Sequence, residues 1–198
     1  MAPYERVRRV IRGTDNPTER KVRFVALLTA SLPKKRTRPV LSGGSAIEVY
    51  LSGALTTGDM DIIYDIKGLE RLLKQWHFER SFRSWINDEL GLAVDAVGDS
   101  LSGSYDKTTT IVTSFGPATV IGKEDLILKR LASAKHWKYP SDIEQAYLLA
   151  KAYEDEVDWN YVDERAKEQG TSDYLSRLRR MLKRGFARRV GTGSPRRR

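Results

Sequence analysis

Asp59 and Asp61, in the run Asp59-Met60-Asp61-Ile62-Ile63, are the residues best suited to chemistry in this chain. In an extended strand alternate side chains share a face, so two acids one residue apart point the same way. Side by side, each makes the other harder to ionise. A hard divalent cation between them removes that cost, and Mg²⁺ suits few carboxylates combined with waters and substrate phosphates. Upstream lies Leu41-Ser42-Gly43-Gly44-Ser45, with thirteen residues between Ser45 and Asp59. A glycine-rich turn opening a helix can present backbone N–H groups to phosphate. A third acid, Asp95, stands in the apolar run Ala93-Val94-Asp95-Ala96-Val97, where a carboxylate is costly unless paired or metal-bound. Three carboxylates beside a phosphate cradle suit phosphoryl or nucleotidyl transfer, with two Mg²⁺ or Mn²⁺ ions held by Asp59, Asp61 and Asp95, one to activate the attacking hydroxyl and one to clamp the triphosphate. Asp95 would also help deprotonate the acceptor hydroxyl. Asp99 competes for the third place but fits the turn after the strand.

These residues need strands to align them and a helix to follow the glycines. The pattern predicts a short buried strand at 39–41, a helix at 45–51, the acid-bearing strand at 59–65 and a helix at 67–76. Strands at 78–85 and 91–97 follow, then a hairpin of 108–114 and 117–121 around Phe115-Gly116-Pro117. Upstream, helices fall at 4–12 and 17–31, the second started by Asn16 as cap and Pro17 in its first turn. Downstream, helices fall at 123–137, 140–153, 158–168 and 171–189. The expected fold class is α/β (α+β): a small mixed sheet flanked by helices and followed by a helical C-terminal part. In segments, this is a basic helical stretch at 1–37, a core at 38–121, helices at 122–189 and a disordered basic tail at 190–198.

Composition narrows the function. There is no cysteine, which excludes disulfides and thiolate metal sites, and only His77 and His136 are available for an imidazole site. No apolar run reaches the length of about 18 residues expected of a membrane span, so a soluble, cytoplasmic protein with no membrane contact is expected. The net charge of +9 is uneven. Residues 1–40 hold 11 Lys+Arg against 3 Asp+Glu, residues 41–173 hold 14 against 23, and residues 174–198 hold 10 against none. An acidic middle between basic ends suits a polyanionic partner, bound through counterion release. A solvated tail is the plainer reading of the same charges.

The order Leu41, Gly43, Gly44, Ser45, Ala46, then Thr57, Asp59, Asp61, then Val94-Asp95-Ala96-Val97, resembles the nucleotidyltransferase superfamily that includes DNA polymerase β. It is closer still to minimal nucleotidyltransferases like the abortive-infection toxins of type IV toxin–antitoxin systems. Lys123-Glu124-Asp125-Leu126-Ile127-Leu128-Lys129-Arg130-Leu131 and a helix opened by Asp142 continue the likeness. Where that branch shows Arg-x-x-Lys-Asp, this chain has His136-Trp137-Lys138-Tyr139-Pro140-Ser141-Asp142. The resemblance implies transfer of an NMP from an NTP to a hydroxyl of RNA (tRNA-like) or protein, with an antitoxin as partner.

In this reading Gly43, Gly44 and Ser45 hold the β- and γ-phosphates. The alternative is that a tight strand-to-helix turn needs the glycines anyway. The resemblance implies that Lys129 reaches the triphosphate; a surface lysine lying along the helix is the other reading. Thr57 either steadies Asp59 or caps its turn. Glu48 and His77 read as structural or solvated. Trp76, Trp85 and Trp159 read as core, and Trp137, among Lys135, His136 and Lys138, as a candidate for base stacking. Two other functions remain: a nucleic-acid-binding module on an inactive transferase fold, and a protein-interaction subunit.

Overall fold

The computed structural model describes residues 4–33 and 38–184. The tail expected at 190–198, and the end of the helix expected at 171–189, lie outside them. Helices α1 (Tyr4–Arg12) and α2 (Pro17–Ser31) come first, followed by β1 (Val40–Ser42), α3 (Gly43–Tyr50), β2 (Asp59–Ile63) and α4 (Ile66–Gln75). Then come β3 (Glu79–Ser81), β4 (Ser84–Asn87), β5 (Leu92–Gly98), a 3₁₀ turn at Tyr105–Lys107, β6 (Thr109–Thr113) and β7 (Gly116–Val120). Four helices close the described chain: α5 (Lys123–Trp137), α6 (Pro140–Ala152), α7 (Trp159–Glu168) and α8 (Ser172–Arg184).

The strands form one seven-stranded mixed sheet in the order β3-β4-β5-β2-β1-β7-β6. β2 runs parallel to β5 and antiparallel to β1, and β1 runs parallel to β7. This is the mixed sheet flanked by helices, with a helical C-terminal part, that the sequence leads one to expect. Alternation sorts the central strands. Met60, Ile62 and Val94 are buried in one hydrophobic core with Phe24, Leu69, Leu73 and Trp76. Phe24 meets Trp76 edge-on, 5.7 Å between ring centroids, which locks α2 to the end of α4. Val7 and Ile11 of α1 belong to the same core.

The local signals act as expected at several boundaries. Asn16 accepts a hydrogen bond from the Glu19 N–H at 2.9 Å, with Pro17 in the first turn of α2. Asp65 caps α4 through the Gly68 N–H at 3.2 Å. In α5, Leu126, Ile127, Leu131 and Ala134 pack inward, and Leu128 is buried as well. A helix buried on several sides leaves little polar stripe, so Lys129 and Arg130 stand out as its cationic pair.

Two expectations need correction. Residues 78–85 are not one strand: β3 and β4 form a hairpin with Phe82 and Arg83 at its tip and Ser81 paired with Ser84. Neither tip residue is a turn former, so the sequence gives no break there. α3 begins at Gly43, not Ser45, because Gly43 at φ +63° turns the chain straight from β1 into the helix. Among the described residues no helix is long and apolar enough to cross a membrane.

Candidate active site

The sheet register assembles the site. Asp61 is paired with Asp95 across the parallel β2–β5 ladder and with Ser42 across β1–β2. Side chains at paired positions share a face, so Ser42, Asp61 and Asp95 stand in a row, with Asp59 one pleat along. The structure thus brings together the three acids, the end of β1 and the start of α3.

The glycines are fixed by contact as well as by conformation. A Cβ on Gly43 would lie 1.6 Å from Asp61 Oδ2, and one on Gly44 would lie 2.7 Å from the Thr57 methyl. The Asp61 carboxylate therefore rests on the bare backbone of Gly43. Gly43→Ala should destabilise the fold by about 3 kcal/mol, from the left-handed backbone and the collision together. It should also displace Asp61. A urea titration measures the first effect, and an unchanged midpoint would show that the turn is looser than this contact implies.

Ser45 is fully buried. Its hydroxyl lies 2.8 Å from Thr57 Oγ1 and donates to the Asp59 carbonyl at 2.5 Å. The hydroxyl expected to meet phosphate is a strut here: it holds the entry of β2 against α3. Thr57 belongs to the same network, which answers its two readings together. It steadies Asp59 through Ser45 and also fixes the turn.

Behind this strut lies a buried ion pair that sequence reasoning missed. Lys21 of α2 donates to Glu48 Oε2 at 2.7 Å, to the Thr57 carbonyl at 2.6 Å and to Thr57 Oγ1 at 2.9 Å. Glu48 accepts further bonds from the Thr57 N–H at 2.9 Å and from Thr18 Oγ1 at 2.8 Å. Burial alone would raise the Glu48 carboxyl, but Lys21, Thr18 and Thr57 together outweigh it and hold it below the usual carboxylate range. Glu48, read from sequence as structural or solvated, is structural. Ser45-x-x-Glu48 at the start of a helix, with Lys21 in an amphipathic one, offers no direct sign of this pairing.

Charge is concentrated at Asp61. Burial raises its carboxyl above the usual range, and the charges of Asp59 and Asp95 raise it further; Arg130 and Lys129 pull it back. Lys129 shows the converse. Burial depresses its ammonium, Asp61 and Asp125 push it up, and Arg130 pushes it down again. Its Nζ donates to Ser42 Oγ at 3.3 Å, so the half-buried lysine is aimed at the end of β1 and is not laid along the surface.

The neighbouring Arg130 donates to Asp142 Oδ1 at 3.1 Å, and Ser133 Oγ donates to Asp142 Oδ2 at 2.5 Å. The Asp142 expected to open a helix does so in α6. Its partner is Arg130, within the i, i+3 reach of Ser133 on α5, and not Lys129. Arg130 Nε is buried with no hydrogen-bond partner among the described residues. Asp99 accepts from the Ile66 N–H at 2.8 Å, which places it at the start of α4 as a turn residue. Trp76 and Trp85 are buried, Trp159 is partly buried with its Nε1 on the Glu154 carbonyl at 3.0 Å, and Trp137 is 72% exposed.

The fit to a cation can be tested on Asp95. This residue is buried, and its Oδ1 has no hydrogen-bond partner among the described residues. A buried carboxylate oxygen in that position suits a metal ligand. Its other oxygen, Oδ2, is 3.0 Å from Arg83 Nε. Among the described residues no group of three His, Cys, Asp or Glu side chains is close enough together to hold a metal ion by itself, so a cation here would need substrate oxygens or water as further ligands.

No protein-family model matches the chain, and no curated protein matches it. Among solved structures, that of the antibiotic-resistance factor ANT(2'')-Ia is similar over 81% of this chain and 94% of that one, with 14% identity and a TM-score of 0.48. A likeness this distant assigns neither activity nor substrate.

Proposed function

We propose that the protein is a metal-dependent nucleotidyltransferase that moves an NMP from an NTP to an acceptor hydroxyl. The observation that carries this reading is the row Ser42–Asp61–Asp95, with Asp59 beside it and Lys129 converging on its end. Asp59 and Asp61 would hold Mg²⁺ or Mn²⁺, with Asp95 as third ligand. Of two such ions, one would lower the pKa of the attacking hydroxyl and the other would supply positive charge to the triphosphate.

The residues of the chain do the rest. Lys129 and Arg130 face Asp61 closely enough to perturb its ionisation, and they offer cations to a triphosphate laid across Asp61. The N–H groups at the start of α3 face the same place, with Gly43 and Gly44 allowing close approach. The acceptor oxygen bonds to the α-phosphorus as the bond from that phosphorus to the bridging oxygen breaks, and pyrophosphate leaves. Asp95 accepts the hydroxyl proton. The acceptor is a hydroxyl on RNA or on protein, and a toxin paired with an antitoxin is the biological role this reading favours.

The test is incubation with Mg²⁺ and each labelled NTP in turn, with total tRNA present, against an Asp59→Asn control. Label should move to RNA, or to protein, only with the intact carboxylate. Transfer that survives Asp59→Asn would remove Asp59 from the machinery. RNA binding without transfer, unchanged by the substitution, would favour a binding module on an inactive fold.

A further inference from the structure

The β3–β4 hairpin turns beside Asp95 in the sheet. Ser84, the first residue of β4, is the register partner of Asp95 on β5. The residue before it, Arg83, places Nε 3.0 Å from Asp95 Oδ2. The two partners differ sharply in surroundings: the Asp95 side chain is 5% exposed and that of Arg83 is 83% exposed. One partner is a fixed, buried anion, and the other is a cation reaching in from solvent. An arm of this kind can leave at little cost in packing, whereas the carboxylate cannot.

The tip itself is unusual. A two-residue hairpin loop is cheapest as Asn-Gly, Asp-Gly or Gly-Xaa. Here the loop is Phe82-Arg83, with Phe82 at φ +52° and its ring 98% exposed. Folding alone rewards neither choice. The neighbouring Arg80 braces the loop by donating from Nε to the Phe82 carbonyl at 2.9 Å and by pairing with Glu70. The hairpin is thus held in place while Arg83 remains on Asp95.

We infer that Arg83 is the resident counter-cation of Asp95, a placeholder that a divalent metal displaces when it binds. The inference rests on the reading of Asp59, Asp61 and Asp95 as the metal site. A guanidinium on Oδ2 satisfies part of the charge that the ion would satisfy, and it leaves Oδ1 open for the incoming ligand. Arg83 therefore opposes metal binding and limits the charge left buried without one.

The experiment is a Mn²⁺ titration of the full-length protein, followed by loss of the free-ion electron paramagnetic resonance signal. Arg83→Gln should bind Mn²⁺ about fivefold more tightly, the scale expected of a partly exposed ion pair. Arg83→Lys, which keeps the cation on the arm, should remain close to wild type. In EDTA, Arg83→Gln should melt below wild type, and saturating Mn²⁺ should close that gap. An affinity equal to or weaker than wild type in Arg83→Gln, with wild-type binding still abolished by Asp61→Asn, would overturn the placeholder while leaving the metal site intact. If neither wild type nor Arg83→Gln takes up Mn²⁺, the metal site and the placeholder both fail.

Discussion

Asp61→Asn should reduce nucleotidyl transfer by about 10³-fold while making the metal-free protein more stable. Under the proposed function, the loss follows from removing a ligand of the ion that would stabilise the reacting phosphate by several kcal/mol, at about 1.4 kcal/mol for each factor of ten. The gain follows from the carboxyl's environment. Asp61 is buried and repelled by Asp59 and Asp95, so its folded pKa lies above its unfolded one. In the window between those two values the folded state binds more protons, and stability falls as pH rises through it. Above the window the full penalty remains. Asn carries no such penalty, so its advantage should be largest at neutral pH and fade as the solution is acidified through the carboxylate range. Thermal melts in EDTA at several pH values, paired with the transfer assay, measure both effects. Equal melting temperatures at every pH would show that the acid cluster carries no stored repulsion.

The largest stability loss is expected from Lys21→Met. Glu48 is 1% exposed and would keep its charge while losing its ammonium partner. Breaking a buried pair from one side costs about 3–5 kcal/mol. The pH dependence has a definite sign. In the wild type the Glu48 carboxyl is held low, so its contribution is present above the unfolded pKa and is lost as pH falls through the folded one. Without Lys21 the carboxyl rises, and protonation relieves the variant. The gap between the two proteins should therefore be widest near neutrality and narrow in acid, as followed by chemical denaturation at both ends. The double substitution Lys21→Met/Glu48→Gln should recover much of the loss, since it leaves no orphan charge. Thr57 would lose the ammonium on its carbonyl and hydroxyl and keep Ser45 and the side chain at position 48, so transfer should recover less than stability does.

Much of the site was legible because short-range rules govern it. Period-two alternation puts Asp59 and Asp61 on one face and Met60 and Ile62 in the core, and β2 does both. Asn16-Pro17 marks the start of α2, and the apolar spacing of 123–137 gives α5 its bounds. What escaped depends on partners distant in sequence. Lys21 and Glu48 are 27 positions apart, and each alone looks like a surface charge. Arg83 carries no mark of its approach to Asp95, because the approach depends on a turn that Phe82-Arg83 does not advertise. Ser45 sits where a phosphate donor would be expected, yet close packing against Thr57 and the Asp59 carbonyl turns its hydroxyl inward. Asp142 met its helix as expected, but its cation came from Arg130, one residue beyond Lys129.

The struts around Thr57 also decouple the spacing of the motif from its geometry. Ser45 and Glu48 grip Thr57 from α3, while residues 52–54 and 56 project into solvent between the gripped ends. Lengthening a loop whose ends are already fixed costs little, about 0.6 kcal/mol for each doubling. The distance along the chain from glycines to aspartates is thus free to drift over evolutionary time without moving either. The same stretch is a natural port for an inserted reporter or a circularly permuted terminus.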